Sequence, residues 1–205
     1  MKPCSLDLVS GSRSRVPIWY RSQVDFVLSQ HEEFESYEDE ALKDSFMAFV
    51  EELKSSETYD DRRITLLCCL SILVEAGYRT INMLPHGAQI MAALYLFDGD
   101  ITEVSTGEGK TFICSLVAIL KSLDNNDGTV ILTSNISLAR EAVEKLTPLY
   151  LWVGISVSWS QDSETLTFNE EADELKRVYR ADVVYSNAED HVFVWLNDKH
   201  DAVSI

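Results

Sequence analysis

The sequence predicts an α/β fold in which a parallel sheet covered by helices follows a helical front segment. Three observations lead there. Up to about residue 97 the apolar residues recur at helical spacing, whereas beyond residue 100 short strand-like runs alternate with helical stretches. A glycine-rich hexapeptide, Thr106-Gly107-Glu108-Gly109-Lys110-Thr111, sits where the first such run meets a helix. The 205 residues have an ordinary apolar share and no internal repeat, enough for one large domain or one domain with a helical appendage.

Taken in order, residues 1 to about 17 read as irregular, with Gly11 and Pro17 as breakers. From Val24 to Leu53 the positions Phe26, Val27, Phe34, Leu42, Phe46, Phe49, Val50 and Leu53 predict one or two amphipathic helices. "SSETYDDRR" is a polar break with helix-start chemistry at Thr58 or Asp60. "RRITLLCCLSILVEAGY" follows as a largely buried helix expected to stop near Gly77. "HGAQIMAALYLFDGD" predicts a short helix closed by the Asp98-Gly99-Asp100 turn. Strands are then expected at Ile101–Val104, Thr129–Thr133, Ile155–Trp159 and Asp182–Ser186, alternating with helices at Lys110–Leu123, Ser137–Leu146 and Asn169–Tyr179. The division is an irregular lead over 1–23, a helical segment over 24–97 and an α/β segment over 98–205.

A formal charge of -17 argues against nucleic acid or anionic lipid as a partner, because Lys and Arg are scattered rather than gathered into a basic patch. Most of the charge imbalance sits in "QHEEFESYEDEALKDSFMAFVEELKSSETYDD", which reads as a solvated helix face or as a surface for a basic partner. Cys4, Cys68, Cys69 and Cys114 lack the spacing of a disulfide framework or zinc site; Cys68 and Cys69 should pack as small hydrophobes. His31, His86, His191 and His200 lack metal-ligand spacing, and Trp152, Trp159 and Trp195 read as core. The first residues carry no secretory signal, with basic and serine content that hints weakly at a transit peptide. No apolar run is expected to span a membrane, so a soluble protein is anticipated.

The hexapeptide combines three features of a phosphate cradle. Gly107 and Gly109 permit backbone angles and close approaches that a Cβ blocks. Successive N–H groups can then turn inward as an anion-binding nest. The apolar run Phe112–Leu120 supplies a helix whose positive end faces the same point. In such a loop Lys110 reaches the β- and γ-phosphates and the Thr111 hydroxyl ligates magnesium. The strict motif opens on a further glycine, which this chain lacks.

Outward from the loop, the sequence resembles the first motor domain of SecA, the ATPase of preprotein translocation. "AQIMAALYLFDGDITEVSTGEGKT" has the family's arrangement of a glutamine on a short helix, a glycine turn and the loop. "TVILTSNISLAREAVEKLTPLYLWVGISV" and "YRADVVYSNAEDHVFVWLND" are similar to its following segments, and the likeness runs in order over roughly residues 35–198. The resemblance implies a P-loop RecA-like three-layer fold with ATP and magnesium as cofactors. Gln89 would read the adenine edge, its amide pairing a donor with an acceptor, or else face solvent. Thr106, Gly107, Glu108, Gly109, Lys110 and Thr111 would hold the phosphates, Thr111 also the metal. Arg140 would be the family's motif arginine or a salt-bridged surface residue. A polypeptide substrate, a membrane channel and a further motor domain are the implied partners, and the implied location is cytoplasmic or peripheral to a membrane.

Departures set the alternatives. Leu84-Pro85-His86-Gly87 stands where the family commonly has Arg-His-Phe-Asp, and Asn197 replaces a family arginine. The acidic strand that holds magnesium and orients water would follow Ile205, so these residues alone are expected to hydrolyse ATP poorly or not at all, and no catalytic residue is assigned. A nucleotide-free adaptor is the alternative. A helicase-like half is a further one, disfavoured by the acidity.

Overall fold

The computed structural model describes residues 17–125, 128–160, 178–192 and 196. The expected irregular stretch before Pro17, most of the helix expected at Asn169–Tyr179, and Trp195, Asn197 and His200 lie outside these residues. The chain is α/β, in two compact units that meet in sequence between Asn125 and Asn126.

Among the described residues the first unit is helical. Helix α1 (Ile18–Phe34) starts directly after Pro17, inside the stretch 1–23 that the sequence leaves irregular. It buries Tyr20, Val24, Val27, His31 and Phe34, a three-to-four residue rhythm that makes one apolar stripe. Helix α2 (Asp39–Ser55) buries Leu42, Phe46, Val50 and Leu53 by the same rhythm. The Val24–Leu53 pattern is therefore two helices. The Thr58 hydroxyl accepts from the Asp61 N–H at 3.1 Å and starts helix α3 (Tyr59–Ile81).

Helix α3 is buried without interruption from Thr65 to Gly77, since α1, α2 and the loop-bearing helix described below all pack on it. It does not stop at Gly77, as the sequence suggests, but four residues later, where Asn82 takes a left-handed φ of 54°. Gly77 serves packing instead: a Cβ there would lie 2.6 Å from Phe112 Cζ. Contrary to expectation, α3 has the length and apolar composition of a membrane-crossing helix, yet 72% of that window is buried within the unit. Cys68 and Cys69 pack in its apolar run, and burial pushes their thiols up to about 11 and about 12. Its one buried carboxylate, Glu75, sits 2.9 Å from His31 Nε2 and 2.6 Å from Arg79 Nε; Arg79 also reaches Asp39, joining the three helices.

The expected strand at Ile101–Val104 does not form; residues 101–105 carry no strand pairing. Exposure does alternate along them, with Thr102 and Val104 half buried and Ile101, Glu103 and Ser105 exposed. The period of two is present, but a strand also requires a neighbour for its main-chain hydrogen bonds, and the described strands all belong to the second unit.

In that unit three parallel strands lie in the order β1-β3-β2. They are β1 (Thr129–Thr133), β2 (Val157–Trp159) and β3 (Val183–Asn187), with Val183 opposite both Thr129 and Val157. Two agree with the sequence within a residue, while the Ile155–Trp159 run yields only its last three residues. Helix α6 (Ile136–Val153) connects β1 to β2 and packs on all three strands. The Asn135 side chain caps its start by accepting from Leu138 N–H at 2.9 Å, and Gly154 ends it in the left-handed region at φ 76°. The central strand β3 is buried at Val183, Val184, Tyr185 and Ser186, as both its edges are paired. Trp152 and Trp159 are half buried.

Candidate functional site

The loop at Ser105–Thr111 is held by two helices of the first unit, α4 (Gly87–Phe97) and α5 (Lys110–Asn125). Ala92 and Ala93 on α4 are small enough to let Ile113 of α5 pack directly against them, with Leu96, Val104 and Val117 around the cluster. One residue earlier on α5, Phe112 is buried against Gly77. The first turn of α5 is thus fixed on both α3 and α4, and the loop has little choice of direction.

Within the loop Gly107 and Gly109 have φ of 86° and 77°, the left-handed region that L side chains avoid. The Glu108 N–H donates to Ser105 O at 3.2 Å, closing the turn. Gly109 O accepts from Phe112 N–H at 3.0 Å and from Ile113 N–H at 3.1 Å, opening the helix. Among the described residues no protein acceptor meets the N–H groups of Gly107, Gly109, Lys110 or Thr111. Thr106, Gly107, Lys110 and Thr111 are exposed, and nothing lies within 4 Å of the point where a Gly107 Cβ would be. The first turn of α5 carries no acidic residue, so its positive end is offset there only by the neighbouring Glu108.

Two polar side chains brace the loop from within. Lys110 Nζ donates to Val104 O at 3.0 Å and Ser105 O at 2.9 Å. Gln89 is half buried at the start of α4, where its Oε1 accepts from His86 N–H at 2.7 Å and its Nε2 donates to Glu108 O at 2.8 Å. The structure therefore sets Gln89 against Glu108 and Gly109 and directs Lys110 to the Val104 and Ser105 carbonyls, while Thr106, Gly107 and Thr111 are exposed. Arg140 belongs to α6 in the second unit. There it is exposed, 2.7 Å from Glu144 Oε1, and its guanidinium lies 5.9 Å from the Trp159 ring centre. That is the salt-bridged surface arrangement.

Sequence reasoning missed the support beneath the loop. Arg63 grips Asp98 with both terminal nitrogens, at 2.6 and 3.0 Å, and holds Gln23 Oε1 with NH2 at 2.7 Å. The Tyr20 hydroxyl donates to the same carboxylate at 2.6 Å while its ring stacks on Tyr95. Asp98 ends α4, so this network fixes where the chain leaves for the loop. No local signal marked it, because Arg63 stands at the end of the polar stretch "SSETYDDRR" and only folding buries it.

A second polar group, also unforeseen, closes the ends of β2 and β3. The Ser160 and Ser186 hydroxyls lie 3.0 Å apart, Tyr179 OH donates to Ser186 Oγ, and Ser160 donates to Asp190 Oδ2. His191 Nδ1 meets Tyr179 OH at 3.3 Å, and among the described residues no imidazole hydrogen-bonds either serine. Among the described residues no group of three or more His, Cys, Asp or Glu could hold a metal ion.

The chain is similar along most of its length to known proteins. The family model for the SecA DEAD-like domain matches residues 8–203. The protein translocase subunit SecA of Wolbachia pipientis wMel is 33% identical over 179 residues, covering 87% of this chain and 20% of that protein. The protein translocase subunit SecA 2 of Lactobacillus johnsonii (strain CNCM I-12250 / La1 / NCC 533) is 32% identical over 166 residues, covering 77% and 20%. That of Staphylococcus aureus (strain Newman) is 33% identical over 157 residues, covering 76% and 19%. The chain spans about a fifth of the length of these curated relatives.

Proposed function

This chain belongs to the SecA DEAD-like domain family, and from that premise we propose that it is the nucleotide-holding part of a protein-translocation motor, taking ATP with magnesium at Thr106–Thr111. The reading rests on one observation: four main-chain N–H groups, those of Gly107, Gly109, Lys110 and Thr111, lack a protein acceptor around an exposed loop. Such groups suit phosphate oxygens, and the positive end of α5 adds to the attraction. Lys110 would exchange two loop carbonyls for phosphate oxygens, and the free Thr111 hydroxyl would ligate the metal. Magnesium, when bound, neutralises charge on the phosphates. Holding a triphosphate and hydrolysing it are separable, since hydrolysis also needs a group that orients water, which the loop does not supply.

The relatives' names, protein translocase subunit SecA and SecA 2, support a polypeptide substrate and a membrane channel as the motor's partners. On the same ground the three parallel strands are read as part of a RecA-like core, Arg140 as its motif arginine, and the protein as cytoplasmic or peripheral to a membrane.

Thermal unfolding of the 205-residue chain with and without Mg·ATP tests the proposal. A ligand that binds only the folded state must raise Tm, by an amount equivalent to about 2.7 kcal/mol at a hundredfold excess over Kd. The rise should vanish in Lys110→Ala and shrink in Thr111→Ala. A second reading, a nucleotide-free adaptor, is favoured by the way Lys110 and Gln89 already satisfy the loop's own carbonyls. An unchanged Tm at millimolar Mg·ATP would decide for it.

A further inference from the structure

We infer that Gln89 is a positioning residue for the phosphates, acting through the loop main chain and not solely by touching a base; this rests on the nucleotide reading above. The peptide joining Glu108 to Gly109 is planar and trans, so its C=O and N–H point in opposite directions. Gln89 Nε2 holds that C=O at 2.8 Å, which aims the Gly109 N–H away from α4. The Gly109 N–H is one of the four without a protein acceptor.

The brace is itself anchored. Gln89 Oε1 is held by His86 N–H at 2.7 Å, and α4 is set against α5 by Ala92, Ala93 and Ile113. The amide also fills the space beside Gly109, 2.6 Å from where a Cβ would stand. A glycine at φ 77° has no side chain to resist rotation of its peptide. Without the Gln89 donor, this peptide is free to turn, and its N–H is lost to an incoming phosphate oxygen whatever base the nucleotide carries.

The test is calorimetric titration of the full chain with Mg·ATP and with magnesium tripolyphosphate, which has phosphates but no base. Gln89→Met removes the donor toward Glu108 O without adding a charge that would itself repel phosphate. Both ligands should weaken by the same factor, about tenfold, the scale of one hydrogen bond. Should Gln89→Met fold poorly, Gln89→Leu provides the same comparison of ligands. Weakening of Mg·ATP alone, with tripolyphosphate untouched, makes Gln89 a reader of the base and overturns the inference. Variants that bind both ligands like wild type also overturn it while leaving the nucleotide reading intact. Wild type binding neither ligand removes both.

Discussion

Gly109 carries two separate demands on one residue. Its φ of 77° lies where a Cβ strains the backbone, and that Cβ would stand 2.6 Å from Gln89 Nε2. Gly109→Ala should therefore cost about 1–2 kcal/mol in urea unfolding, and it should also weaken Mg·ATP binding, because Gln89 must leave Glu108 O to make room. Gly107 offers the contrast: its φ is 86°, but open space surrounds it, so only the backbone term applies there. Both glycines were legible in the sequence as loop formers. The partners of Lys110 and Gln89 were not, because a carbonyl acceptor leaves no mark in the identity of the residue that carries it.

At the scale of elements, the exit from α4 depends on a charge pair joining it to α3, with Arg63 only 8% and Asp98 22% exposed at the side chain. Asp98→Ala would leave a buried guanidinium with Gln23 as its remaining polar contact, and should destabilise by about 3 kcal/mol. Arg63→Met keeps volume and frees Asp98 toward solvent, so its loss should be smaller. Urea midpoints of the two variants check the order. Helix identities were legible because an apolar stripe every three or four residues is a local property, as Leu42, Phe46, Val50 and Leu53 show. Helix ends were less so. Gly77 looks like a stop, yet it is interior because Phe112, 35 positions further on in the chain, needs the room.

For the whole molecule the alkaline limit of stability follows from groups in both units that are buried in the neutral state. Burial and the Asp98 hydrogen bond push Tyr20 well above the ordinary tyrosine value of 10.0; burial raises Tyr95 and Tyr179 as well. Cys68 and Cys69 are pushed up to about 11 and about 12 from 9.0. Above these ordinary values the unfolded chain releases protons that the folded chain keeps, so stability is full below about pH 9 and falls as pH rises. Urea midpoints should therefore drop steadily from pH 9 to pH 11. Tyr20→Phe, which removes one such proton, should flatten the decline above pH 10; an equally steep decline would show that Tyr20 takes no part.

The residue order alone determined the helical front, the alternating segments after residue 100, the helix start near Thr58, and the loop with its family likeness. Each is written within a few neighbouring residues. The tertiary structure decided which extended run became a strand: Thr129–Thr133 found β3 alongside, whereas Ile101–Val104 has helices for neighbours. It also decided that Gln89 holds the loop it lies beside. Both decisions turn on a hydrogen-bond partner remote along the chain, and only folding brings such partners together.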